Sequence, residues 1–248
     1  MRSSVEPEDF FKLRNDEERI KFLLNFAILA PSSYNSQPWL FRVRGLTLEL
    51  WGDEKRALTQ SDQNHRQLFL SLGAALENLL IAADYYGWPV KVELFPEPRE
   101  RFFAARLTMS SPNYRAEEAN RASLIFSAIP LRHTSRYPYE DKPVPQEFLA
   151  AIEKLEAQHL EIFFITDAEK KEKAIDIVGR ATQAAFADQG FKNEFSRWIK
   201  PNLKKYSDGM PGYNIGISWL FSFIVPFMIR HLDVGKACLL YTSPSPRD

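Results

Sequence analysis

Cysteine is nearly missing from this chain: Cys238 is the only one in 248 residues. That excludes a disulfide framework, and with it the small stapled folds of secreted proteins. An excess of one charge is missing as well. Lysine plus arginine and aspartate plus glutamate each total 32, so the formal net charge is zero. No basic stripe runs along the chain, which sets aside nucleic acid as a partner. Histidine is scarce, and His65, His159 and His231 stand at no metal-ligand spacing from Cys, Asp or Glu. No metal site is expected, and these three read as surface or satisfied histidines. The first residues, MRSSVEPEDF, lack the apolar segment of a secretory leader. The stretch ISWLFSFIVPFMI (217–229) is shorter than the roughly 20 residues of a membrane span and is interrupted by Pro226. A buried or interface helix is expected there, with no membrane partner and a cytoplasmic location.

The composition that remains, 45% hydrophobic and 26% charged, is that of a globular chain long enough for one large domain or two small ones. The last eleven residues, CLLYTSPSPRD, continue no pattern of the preceding chain. They resemble the in-frame translation of a sequencing-library adapter. On that reading residues 238–248 are a non-native tail, and the native chain breaks off in mid-protein near Ala237.

Helical and strand patterns alternate. Asn15 opens an N-x-x-E cap ending at Glu18, and Ile20, Leu23, Leu24, Ala27 and Ile28 recur at helical spacing until Pro31. WLFRVRGLTLELW (39–51) alternates around Gly45 as a hairpin, with Leu46, Leu48 and Leu50 on one face. QLFLSLGAALENLLIAADYY (67–86) is apolar nearly all round, which predicts a buried central helix ended by Gly87 and Pro89. Strands are expected around 90–94 and 103–107. SSPNYRAEE (110–118) divides the chain into halves. The second half should hold helices over 118–130, from Pro145 to about Leu155, and over 169–188 with Ile175, Val178, Ala181, Ala185 and Phe186 inward. A short helix should close at Trp198 and Ile199, and LEIFFIT (160–166) reads as a buried strand. The polar loop 204–214 contains Asp208-Gly209, a turn signal in a segment able to close over a ligand.

Two segments concentrate binding chemistry. PSSYNSQPW (31–39) offers hydroxyls and amides without charge, which suits the neutral polar part of a ligand. RHTSR (132–136) places a threonine and a serine between Arg132 and Arg136, ahead of a Pro-rich connection. Paired guanidinium groups suit a phosphate, because each makes bidentate charge-assisted bonds. Either segment alone is an ordinary polar turn or solvated loop.

Together they resemble the nitroreductase superfamily of FMN-dependent NAD(P)H oxidoreductases. APSSYNSQPW is similar to that family's APSSxNxQPW signature. RHTSR followed by PVP resembles its flavin-phosphate motif, and SLGAALENLLIAADYYGW its central helix. The resemblance spans roughly residues 17–237. It implies an α+β, nitroreductase-like fold, with FMN as cofactor, NAD(P)H as co-substrate and a small-molecule substrate. In ordinary members the arginine motif comes first, and each flavin lies between two subunits. Here the loop is in the first half and the arginines are in the second. The order resembles the fused, two-halved branch, in which two diverged halves (1–112, and 113–237 incomplete) form an internal pseudo-dimer with one flavin site. A homodimer stays open as well. The resemblance implies that Arg132 and Arg136 hold the phosphate and that His133 and Thr134 contact the ring edge or ribityl chain. Pro31, Ser32, Ser33 and Asn35 would line the flavin from the other half. Trp39 and Phe41 read as core. No residue is expected to act covalently, since hydride chemistry belongs to the flavin. The fused branch leaves a second reading open, a flavin-sequestering protein with little turnover.

Overall fold

The structure is a computed structural model that describes residues 7–110, 119–134, 140, 142–154 and 161–232. Helix α1 (Asp16–Ala27) starts where the cap predicts. The Asn15 side chain accepts from the Glu18 amide at 2.9 Å, and the Glu18 carboxylate accepts from the Arg14 amide at 3.0 Å. These bonds satisfy donors that a helix start leaves open. Strands β1 (Trp39–Arg44) and β2 (Thr47–Gly52) form the hairpin, turning at Gly45 with φ +56°. Such left-handed backbone favours glycine. Helix α2 (Arg66–Tyr85) is followed by strands β3 (Val90–Leu94) and β4 (Phe103–Met109) and by helix α3 (Ala119–Leu131).

The four strands form one antiparallel sheet in the order β1-β2-β4-β3. Period-two alternation puts Leu48 and Leu50 of β2 beside Leu107 and Ala105 of β4, all fully buried. Helix α2 covers this face, with Leu72, Ala75, Leu79 and Ala82 inward, and α1 and α3 pack along it. Aromatic stacking joins the helices. Phe10 lies on Tyr86 with ring centroids 4.0 Å apart, and Phe126 of α3 lies on Tyr85 at the same distance. The first half is therefore a closed α+β unit that draws α3 onto its surface.

The second half is assembled differently. Helices α4 (Gln146–Glu153), α5 (Ala168–Ala187) and α6 (Gln189–Trp198) lead to a short parallel ladder of β5 (Ile199–Lys200) with β6 (Met210–Pro211), and then to α7 (Phe221–His231). Phe186, Ile199, Met210 and Ile229 make a small separate core. Three expectations need correction here. Described residues 161–167, most of LEIFFIT and its flank, form no strand, and Phe163 is 79% exposed. An apolar run becomes a buried strand only when a sheet edge receives it, and residues 161–167 pair with no strand among the described residues. On α5, Phe186 is buried but Ile175 and Val178 are exposed, because α5 packs only near its C-terminal end. Helix α2, apolar on every side, leaves Leu70 65% exposed over a shallow groove lined by Arg66, Phe69, Gly73, Ala74 and Glu77. By length and composition α2 could also cross a bilayer; here it is the core helix of the first half. The expected 217–229 helix forms as α7, with Ser222 and Ile229 buried and most of its aromatic side chains exposed.

Candidate functional site

Helix α1 ends ahead of Pro31, and the chain enters a compact loop. The Asn35 amide donates to the Ser32 carbonyl and the Ser36 amide to the Ser33 carbonyl, both at 2.9 Å. The Ser32 hydroxyl accepts from the Gln37 amide at 2.9 Å. The Ser33 hydroxyl donates to the Gln67 side chain at the start of α2, at 2.5 Å. Tyr34, Asn35 and Gln37 all take left-handed backbone, with φ of 53°, 53° and 52°. Asparagine tolerates that region, whereas tyrosine and glutamine adopt it at a cost. Beyond the loop, Pro38 and Trp39 are buried and anchor β1; Trp39 is core, as its sequence context implies, and Phe41 packs beside it.

The second motif arrives at the same end of α1. Arg132 follows α3 directly, and one guanidinium nitrogen donates to the Leu29 carbonyl at 3.1 Å, across 103 residues of sequence. A second nitrogen reaches the Thr134 hydroxyl at 3.4 Å. The His133 Nδ1 lies 3.4 Å from the Leu131 carbonyl. Arg132, His133 and Thr134 are all solvent-exposed. The structure thus brings Arg132 to the helix end from which Pro31, Ser32 and Ser33 emerge. Arg136 lies outside the described residues. So do the tail 238–248 and His159.

Several partners of the loop were not singled out in the sequence. The Asn35 amide side chain donates to the Gly209 carbonyl at 3.1 Å, and the Gly209 amide returns a bond to the Asn35 carbonyl at 3.2 Å. The Gln37 side chain donates to the Ser207 carbonyl. Arg56 donates from one nitrogen to the Ser36 carbonyl at 2.8 Å and to the Asp208 carboxylate at 3.0 Å. Tyr34 packs its ring 5.2 Å from that of Phe195 on α6. The buried Glu194 carboxylate accepts from the Gln60 and Ser61 amides at 3.0 and 2.9 Å and from the Ser61 hydroxyl. The only sequence signal for these contacts was the Asp208-Gly209 turn pair.

His65 departs from the expectation of a satisfied histidine. It is buried in left-handed backbone immediately before α2, its ring lies 5.3 Å from that of Phe102, and its Nδ1 meets no partner among the described residues. His231 ends α7 with its ring 4.5 Å from that of Phe227.

These donors suit a ligand with a phosphate and a run of hydroxyls. Arg132 has five N–H donors, and two bonds leave others free. The Ser32 oxygen accepts within the loop and keeps its own proton to donate. Asn35, by contrast, already spends an amide proton on Gly209.

The arrangement combines an antiparallel α+β unit, a central apolar helix and a Ser/Asn loop beside an arginine. No protein-family model matches the chain. It is similar to proteins of Mycobacterium tuberculosis, and the names of two of them support kinship with the nitroreductases. "Putative NAD(P)H nitroreductase Rv3131" is 32% identical over 183 residues, covering 74% of this chain and 52% of that protein. "Putative NAD(P)H nitroreductase acg" is 34% identical over 124 residues, covering 50% of this chain and 37% of that protein. A third, "Uncharacterized protein Rv3127", is 30% identical over 126 residues, covering 49% and 36%. The chain spans about half the length of the curated relatives it matches, or less.

Proposed function

We propose that this chain is the flavin-binding part of an NAD(P)H-dependent oxidoreductase that reduces a small planar acceptor such as a nitroaromatic or a quinone. The observation that carries the reading is the meeting of two distant motifs, Arg132 on the Leu29 carbonyl at the root of the Ser/Asn loop. The names of the M. tuberculosis relatives support the reaction class.

In this reading Arg132, with Arg136, binds the FMN phosphate, because guanidinium pairs bidentately with phosphate oxygens. Ser32 donates its hydroxyl to the ribityl chain or ring edge, Ser33 offers its oxygen as an acceptor because its proton is held by Gln67, and Pro31 and Asn35 shape the wall beside them. His133 and Thr134 complete the rim. When bound, FMN supplies the hydride chemistry, taking two electrons from NAD(P)H and passing them to the acceptor. The protein's part is to bind, to orient and to exclude water. No side chain has to act as nucleophile.

The halves 1–112 and 113–237 form the two parts of an internal pseudo-dimer with one flavin per chain. The separate core clusters around the four-stranded sheet and around α6–α7, and the greater length of the relatives, support a two-part chain, with α3 of the second half packed onto the first. Anaerobic addition of NADH or NADPH to flavin-loaded protein should bleach the yellow absorbance, and a nitro compound should restore it. Flavin that stays oxidised would favour sequestration instead. Co-expressing a Ser33→Asp chain with an Arg132→Ala chain should restore no flavin binding if the site is internal. Restored binding would mean that two chains share it.

A further inference from the structure

We propose that Asp208 and Arg56 are positioning residues. Together with the turn at Ser207–Gly209, they hold the Ser/Asn loop in the one conformation that receives the flavin. The second part of that statement rests on the reading of the loop as a flavin wall; the first does not.

Three of the four residues from Tyr34 to Gln37 are non-glycine residues in left-handed backbone. Tyr34 and Gln37 adopt that backbone at a steric cost, whereas asparagine tolerates it. The loop's internal bonds recover part of that cost. The amide side chains of Asn35 and Gln37 face a single turn that the chain reaches more than 150 residues later. Asn35 exchanges two bonds with Gly209, Gln37 bonds Ser207, and Arg56 spans from Ser36 to Asp208. Among the described residues the Asp208 carboxylate accepts from Arg56 and makes no hydrogen bond to the loop itself. It acts through Arg56: the carboxylate orients the guanidinium, and the same guanidinium nitrogen then holds the Ser36 carbonyl.

The turn can reach the loop only because residue 209 is glycine. Its φ is +77°, and a Cβ there would stand 2.5 Å from the Lys200 side chain and 2.8 Å from the Trp198 carbonyl. The short β5–β6 ladder, pairing Ile199 with Met210, fixes where the turn emerges. Tyr34, inserted against Phe195, ties the loop to the same body. Arg56 and Asp208 are both partly exposed, so their pairing is screened and modest in strength. Its role is geometric, since it fixes the direction of the guanidinium that holds the Ser36 carbonyl.

The test reads the loop and the flavin separately in Asp208→Ala and Asp208→Asn chains. Amide hydrogen exchange over residues 31–39 should rise about tenfold or more in Asp208→Ala, while exchange in α2 stays as it was. Asp208→Asn, which keeps an oxygen acceptor for Arg56, should fall between the two. Arg56→Ala, which removes the bond to the Ser36 carbonyl itself, should raise loop exchange at least as much as Asp208→Ala, and the double variant should show less than the sum of the two, because both act on one bond chain. FMN affinity, read by fluorescence quenching, should weaken about tenfold in Asp208→Ala. Unchanged loop exchange in Asp208→Ala overturns the positioning role. Faster loop exchange with unchanged FMN affinity overturns the link to the flavin. If the unaltered chain binds no FMN while the exchange pattern appears as stated, the flavin reading fails and the positioning of the loop stands. If Asp208→Ala does not fold, Asp208→Asn carries the same comparisons.

Discussion

Arg132 is exposed and makes only two hydrogen bonds among the described residues, a long-range one to the Leu29 carbonyl and a local one to Thr134, so its removal should leave the fold intact. Each charge-assisted bond it lends a phosphate is worth about 1.5–3 kcal/mol. Replacing Arg132 and Arg136 together with alanine should therefore weaken FMN binding by about 10²- to 10⁴-fold. Flavin content after purification, beside an unchanged circular dichroism spectrum, checks this. Tyr86 behaves differently because it is structural. Burial, with smaller contributions from Tyr85 and Glu8, pushes its phenol well above the ordinary value of 10.0. In the unfolded chain the phenol ionises near pH 10, whereas in the folded chain it resists. Its contribution is fully present below pH 10 and is lost as pH rises from there toward the folded value. Unfolding midpoints measured from pH 9 to 12 (roughly that span) should fall more steeply for the unaltered protein than for Tyr86→Phe.

Helix α2 shows how one element can serve both core and site. Its start is held by Asp62, whose buried carboxylate accepts from the Gln67 amide at 3.0 Å and the Leu68 amide at 2.8 Å. Negative charge there also complements the helix dipole. Gln67 in turn receives the Ser33 hydroxyl, so the cap and the loop share a residue. Asp62→Ala should cost about 0.5–2 kcal/mol of stability. Asp62→Asn should recover part of it, as read by denaturant midpoint. At the other end of the helix, Gly87 takes φ +66° and turns the chain into β3. Helix α6 docks through Glu194, which is buried against the backbone of Gln60 and Ser61 with no cation among its hydrogen-bond partners in the described residues. Three donors satisfy that carboxylate, and Glu194→Ala would leave two amides without it.

Across the molecule, the two halves are unequally finished. The first buries a continuous cluster from Phe10 to Met109, to which α3 of the second half adds Phe126 and Ile129. The second leaves much of its apolar surface uncovered, above all on and before α7, where Trp219, Leu220, Phe221 and Phe227 are each more than half exposed. Adjacent apolar side chains on this scale promote association. Light scattering of the chain as written should show concentration-dependent assembly, and Leu220→Glu with Phe227→Glu should reduce it. Both positions are exposed, so the pair should leave the unfolding midpoint nearly unchanged.

Much of the first half was legible from residue order alone. The cap at Asn15, the hairpin at Gly45, the helix stop at Gly87 and the alternation of β2 are local effects, decided by neighbours within a few positions. The Ser/Asn loop and Arg132 stood out for the same reason, as concentrations of donors in short stretches. Their meeting near Leu29 and the tie of Arg56 to Asp208 were not legible, since each joins residues more than 100 positions apart. The fates of LEIFFIT and of α5 depart from their local patterns on similar grounds. An apolar pattern states that a face seeks cover, but only the packed chain decides whether another element is there to provide it. Burial and long-range hydrogen bonds are properties of pairs of segments, and pairing depends on where the intervening chain leads, which no local pattern contains.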